Sequence, residues 1–274
     1  MFKILSTNLF LKGAMVFLLS NFSSDGVPFV SFSTEHFTVV GLMLVLVLSL
    51  FWGRMYIRNH RAWRSGIRYG LAFVLLLTQV SLNIWYVAWG VWNVKYTLPL
   101  ELCSISLLLS IVMLCTRSRM LYHVLFFAGI CGALQAVLTP NLSYGFPHFR
   151  FFEFFAAHAA IILAPLYMTW IDQYRPSWKS IGWSMLFLNI LALIIGILNM
   201  VLGSNYMFLQ HKPDTPSLLD LLGPYPYYLL VEEGIALFMF VVMYALFFVI
   251  PKKLGSYIER RNLERQHEPE STGL

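Results

Sequence analysis

Arg54-Met-Tyr-Ile-Arg-Asn-His-Arg-Ala-Trp-Arg-Ser-Gly-Ile-Arg68 carries five arginines and no acid, and Gly70 to Val94, which follows, carries no charged residue. A helix needs about 20 apolar residues to cross a bilayer core. The uncharged run therefore reads as a membrane span, and the basic stretch beside it as a segment held at one membrane face. The same alternation continues in both directions. Phe37 to Gly53 is uncharged, Tyr96 to Thr116 holds only Glu101, and Met120 to Phe149 has no Asp, Glu, Lys or Arg. Phe154 to Ile171 has His158 as its single ionisable interruption of the apolar run, and Ser180 to Gln210 and Gly234 to Pro251 are uncharged. Long uncharged runs read as transmembrane helices, with cores at 36–53, 69–91, 98–116, 121–139, 151–171, 181–202 and 227–250. Pro165 should kink the fifth by freeing the carbonyl of Ile161.

The composition agrees. Of 274 residues 58% are hydrophobic and 12% charged, against about 45–50% apolar and roughly 25% charged in a soluble domain. That excludes an ordinary soluble globule and a disordered chain. Three cysteines, all in apolar runs, exclude a disulfide scaffold. The net charge of +6 does not imply nucleic acid, because the basic residues stand between apolar runs. The expected fold class is all-α, a polytopic bundle of seven transmembrane helices over 36–250. Residues 1–35 form an N-terminal segment whose apolar Leu9 to Ser20, interrupted by Lys12, reads as an interfacial helix. It is short for an eighth span and lacks a small-residue cleavage site for a signal peptide. Residues 251–274 form a charged tail.

Orientation follows from Lys and Arg. Fourteen of the 19 lie in 54–68, 117–120, 172–180 and the tail, and the other five are Lys3, Lys12, Lys95, Arg150 and Lys212. These two sets alternate as seven helices require. The N-terminus is expected outside a cell membrane and the C-terminus in the cytoplasm.

The polar interruptions gather toward the outer ends. At about 1.5 Å per residue, Glu101 and Cys103 lie in the first two turns of the third helix. His158 lies two turns into the fifth, and Glu232 and Glu233 lie one to two turns into the seventh. Asn83, Gln135 and Asn199 fall in the outer portions of the second, fourth and sixth. An ionised carboxylate facing lipid is costly, so these groups should face the bundle, and one outward-opening cavity would account for the set. The competing reading is a scatter of interface residues that snorkel outward. Singly, Glu101 suits a helix N-terminus as well as a functional site. Cys103 suits packing as well as chemistry, while Cys115 and Cys131 read as packing. His158, flanked by Ala156, Ala157, Ala159 and Ala160, is a functional candidate because ionisable groups inside spans are rare. His123 reads as an interface residue; His36, His148 and His211 sit at or beyond the outer ends. Tyr144–Arg150 and Leu222–Tyr227 read as rigid aromatic turns. Between them, Thr215-Pro216 and an apolar run ending at Gly223 read as a short capped helix lying on the interface or over the cavity.

No phosphate-loop, dinucleotide, HExxH, CxxC or GxSxG pattern is present, and no internal repeat is visible. No cofactor or metal is expected.

Tyr96-Thr-Leu-Pro-Leu-Glu-Leu-Cys-Ser104, Gly132-Ala-Leu-Gln-Ala136, Tyr144-Gly-Phe-Pro-His-Phe-Arg-Phe-Phe152, His158 and Leu222-Gly-Pro-Tyr-Pro226 together resemble the YwaF family of bacterial integral membrane proteins, across roughly residues 35–250. That family is distantly similar to eukaryotic multipass proteins acting on acyl chains. These are an ether-phospholipid acyltransferase using Cys and His, and androgen-induced hydrolases using Thr and His. The resemblance implies a nucleophile at Cys103 and a base at His158. The chain departs from the pattern at Glu101, where family members carry His. Two functions follow as expectations. One is a membrane-embedded acyl-transfer or lipid-ester hydrolase enzyme with Cys103 and His158 as catalytic pair, acting on membrane lipids and phospholipid acyl chains. The other is a transporter or ligand-binding, sensory membrane protein using an acidic outer-facing cavity, in which Glu232 and Glu233 matter more than Cys103. Neither involves nucleic acid or an assigned protein partner. The orientation has a direct check: a reporter active only in the cytoplasm should work when fused after Leu274 and fail when inserted at Lys212, and the reverse pattern would invert the topology.

Overall fold

A computed structural model describes residues 27–213, 218–254 and 256–257. Among these described residues seven helices follow one another: α1 Thr34–Asn59, α2 Arg61–Ala88, α3 Leu102–Thr116, α4 Arg119–Leu138, α5 Phe149–Trp170, α6 Trp178–Leu202 and α7 Tyr227–Leu254. Among the described residues there is no strand, only a single antiparallel bridge between Pro28 and Tyr144. Six helices among the described residues are long and apolar enough to cross a membrane, and α3 is a shorter apolar helix.

The differences from the expected spans have local causes. The basic stretch between the first two spans is helical: α1 runs to Asn59, α2 starts at Arg61, and His60 alone leaves helical geometry at φ −116°, ψ 106°. Charge marks where a helix leaves the hydrocarbon, not where its hydrogen bonds stop. The third span was expected from 98 and begins at Leu102. Proline biases the residue before it toward extended backbone, and Leu98-Pro99-Leu100 turns tightly, with the Leu100 amide donating to the Leu98 carbonyl at 2.8 Å. With 15 residues, α3 is roughly 22 Å long. Arg117, left-handed at φ 57°, closes it, and the Ser118 hydroxyl accepts from the Leu121 amide to open α4. Single π-turns at Leu125–Gly129 in α4 and Ala245–Val249 in α7 leave no trace in the apolar periodicity. Helix α5 is continuous through Pro165, with the Thr169 hydroxyl donating to the Pro165 carbonyl.

Helix α5 is the axis. In its apolar window 83% is buried, against 11% in α6 and α7, and it packs on α1, α2, α3 and α4. Ala157, Ala159, Ala160 and Ala164 are buried there, and small residues let helices approach closely.

Hydrogen bonds at the two ends show that the helices alternate in direction. At the arginine-rich end, Arg58 Nε donates to the Trp170 carbonyl (2.6 Å) and the Tyr167 hydroxyl donates to the Arg64 carbonyl (2.8 Å). The Tyr122 hydroxyl meets Thr169 and the Tyr174 carbonyl there, and Ser180 meets His123. This joins the last turns of α1 and α5 to the first turns of α2, α4 and α6. At the other end, the Tyr206 hydroxyl accepts from the Leu98 amide and donates to the Val94 carbonyl. His36 ties the start of α1 to the end of α4: Nε2 donates to the Val137 carbonyl at 2.8 Å, while Nδ1 accepts from the Phe32 amide at 2.9 Å.

The apolar run expected to lie on the membrane, Leu9 to Ser20, falls outside the described residues, as does the tail from residue 258. Leu218–Leu222 forms a 3-10 turn followed by Gly223 at φ +93°; Thr215 and Pro216, read as its cap, are outside the described residues.

His36 is 2% exposed and its bond to the Val137 carbonyl is buried, so its loss strands that carbonyl. Each unsatisfied group costs roughly 1–3 kcal/mol. His36→Ala should lower the thermal midpoint in detergent by several degrees, whereas an unchanged midpoint would show that this tie is not a stability element.

Candidate functional site

His158 sits near the middle of α5 and is 7% exposed. Its Nδ1 lies 2.7 Å from the Phe154 carbonyl. A carbonyl can only accept, so Nδ1 carries the proton. In the neutral imidazole, the partner nitrogen Nε2 then holds the lone pair. Phe154 also covers the ring, with centroids 4.1 Å apart. The residue four positions back on the same helix thus sets both the tautomer and the ring orientation.

Cys103 is the second residue of α3, half-buried and packed against the apolar core. Helices α2, α3 and α5 all pack on one another, so the helix bearing the thiol and the helix bearing the imidazole are direct neighbours. No hydrogen bond joins Cys103 to His158. Counted from the helix starts, Cys103 stands in the first turn of α3 and His158 in the third turn of α5. Cys131 is buried in the core and Cys115 is exposed.

Glu101 immediately precedes α3 but does not cap it with its side chain. Its carboxylate reaches the loop after α6 and accepts from the Met207 amide at 3.0 Å. Asn199, fully buried in the last turn of α6, holds the same loop. Its side chain donates to the Tyr206 carbonyl and accepts from the Tyr206 amide and the Ser204 hydroxyl, all within 2.9 Å. Tyr228 of α7 donates from its hydroxyl to the Phe208 carbonyl. The loop needs this support, because Met207 (φ 58°) and Phe208 (φ 51°) are both left-handed, a conformation that is costly without glycine. Burial raises the Tyr206 phenol above its ordinary value. Glu101 and Asn199 are therefore joined as a latch linking α3, α6 and α7.

The other candidates stand apart from that latch. The Asn83 amide donates to the Gln79 carbonyl within α2 (2.8 Å), and Gln135 is exposed. Glu233 is exposed and accepts from Asn189 of α6 (2.7 Å), while Glu232 is half-buried. A single polar residue in an apolar span does not fix the rotation of its helix, so the side each residue faces was not legible.

Three polar residues missed by the sequence reading lie on the helices that pack together. Thr78 of α2 is buried, with its hydroxyl donating to the Leu75 carbonyl. Ser106 and Ser110 of α3 are buried, and the Ser110 hydroxyl has no hydrogen-bond partner. Cys103, Ser106 and Ser110 are spaced by three and four residues, so they share one face of α3. That spacing was readable as a polar stripe. Among the described residues, no group of three or more His, Cys, Asp or Glu is placed to hold a metal.

The TMEM164 family profile matches residues 31–244, from ahead of α1 into α7, and so includes both Cys103 and His158. The chain belongs to the TMEM164 family. As a TMEM164-family protein with six helices able to cross a membrane, it is a multipass membrane protein. No curated protein matches the chain, and no solved structure does.

The latch makes a specific demand on Glu101. Glu101→Gln keeps an oxygen for the Met207 amide and should retain most of the thermal stability, whereas Glu101→Ala should lose roughly 1–3 kcal/mol. Equal loss in both variants would indicate that charge, not the hydrogen bond, is what the position supplies.

Proposed function

We propose that the protein is a membrane-embedded acyl-transfer or lipid-ester hydrolase enzyme, with Cys103 as nucleophile and His158 as general base. The observation that carries this reading is the fixed tautomer of His158. With Nδ1–H committed to the Phe154 carbonyl, Nε2 is the basic atom, the arrangement a general base requires. The direct packing of α3 on α5 supports it, as does the resemblance of the segments around Cys103 and His158 to the YwaF family and its acyl-chain-processing relatives.

The chemistry balances without a cofactor. The thiol gives its proton to His158 Nε2 as sulfur attacks an ester carbonyl. The S–C bond forms, the C–O bond breaks, and the imidazolium returns the proton to the leaving alkoxide. An alcohol or water then attacks the thioester with the same imidazole as base, releasing the acyl group and restoring the thiol. The thiol needs such a base because a free cysteine is only a few per cent thiolate near neutral pH. The substrate is a membrane lipid entering from the leaflet at the end opposite the arginines, in the cell membrane.

Comparative lipidomics of a deletion strain tests this. Wild-type protein should restore the lost acyl-chain profile, and Cys103→Ser and His158→Ala should each fail by at least about 100-fold in the rate of the restored step while accumulating in the membrane to wild-type levels. Full restoration by either variant would overturn the assignment.

A further inference from the structure

The arginines that orient the bundle also build a pocket. The end of α1, the start of α2 and the end of α3 border a half-open cavity of about 520 Å³ lined by Arg58, Arg61, Arg64, Arg68 and Arg117, with Ser65 adding a hydroxyl. Arg61, Arg64 and Arg68 recur at three and four residues, so they share one face of α2. One carboxylate serves the group. Asp172, 2% exposed in its side chain, pairs with Arg64 at 2.7 Å, and its second oxygen lies 3.9 Å from Arg117 Nε. Arg58 directs its Nε to the Trp170 carbonyl. Among the described residues, Arg58, Arg61 and Arg68 have no ion-pair partner.

A plain topogenic cluster would keep its arginines solvated, with heads snorkelling outward. Arg68 does not fit that description. It is 6% exposed, its Nε is buried with no hydrogen-bond partner, and its guanidinium lies 4.5 Å from the Tyr69 ring centroid. A buried, unpaired guanidinium is expensive, and four positive charges remain after Asp172 is counted. Both deficits are met by an anion with several oxygens and more than one negative charge. Guanidinium groups bind phosphate through paired N–H donors, and basic pockets between helices at the membrane surface receive phosphorylated headgroups.

We propose that this pocket is a phosphate-binding site. Its place at the rim of the apolar helices makes the headgroup of an anionic phospholipid the first source, and soluble phosphate the second. The site is separate from Cys103: Arg117 and Cys103 stand at opposite ends of α3, about 20 Å apart along the helix.

The test uses the full chain purified in a neutral detergent, with lipid retention measured by native mass spectrometry. Phosphatidic acid should be retained at least about tenfold better than phosphatidylcholine. Arg61→Gln, at an exposed position that leaves packing intact, and Arg68→Gln should each reduce that retention about tenfold. Lys179→Gln, which removes one positive charge from the same end outside the pocket, should not. Displacement of phosphatidic acid by inorganic phosphate at comparable concentration, sensitive to Arg61→Gln, would support the phosphate site and name soluble phosphate as its source. Equal retention of the two lipids, or equal losses in Arg61→Gln and Lys179→Gln, would overturn the proposal.

Discussion

The burial of α5 is the constraint on which the rest of the bundle depends. In a bilayer the hydrophobic effect does not drive helices together, because lipid chains are as apolar as the side chains. Close packing must do that work, and α5 supplies it through alanines at 157, 159, 160 and 164, all buried. Four helices lie against it. At its last turns Tyr167 donates to the Arg64 carbonyl and the Trp170 carbonyl accepts from Arg58, and ahead of its first turn the Trp85 ring stands against His148. A histidine at the centre of such a helix is held in a dry environment, and its backbone partner at Phe154 is the reason its orientation is defined.

Much of this was legible in the residues, and the part that was not has a physical explanation. Uncharged runs located all seven helices, because a bilayer selects segments by length and apolarity alone. The alternation of Lys and Arg matched the alternation of direction that the end-to-end hydrogen bonds display. What the residues did not reveal is rotation. Glu101 and Asn199 were expected to face a cavity, and in the fold both bond to the Tyr206–Phe208 loop. Gln135 was placed with them and is exposed. The π-turns and the late start of α3 were hidden because apolar periodicity is blind to backbone register in a segment that is apolar all round. The arginines were read as a topology signal, and only the fold shows that five of them close on one cavity.

The proposed chemistry and the phosphate pocket occupy different ends of the molecule, and α3 spans between them. Its first turn carries Cys103 and its left-handed C-terminal residue, Arg117, lines the pocket. A short rigid helix flanked by a latch at Glu101 and an ion-pair network at Asp172 gives the thiol a defined position relative to α5. The acids at Glu232 and Glu233 have no comparable convergence: one is half-buried on α7, the other exposed and bonded to Asn189.

The central claim is that Cys103 becomes acylated. The most direct measurement is the site of covalent label after the purified protein is incubated with phospholipid carrying an isotopically labelled acyl chain. A hydroxylamine-labile acyl group is expected on the peptide containing Cys103, absent from His158→Ala and not found on Cys115 or Cys131. Label on none of the three, or label on Cys103 that is indifferent to His158, would contradict it.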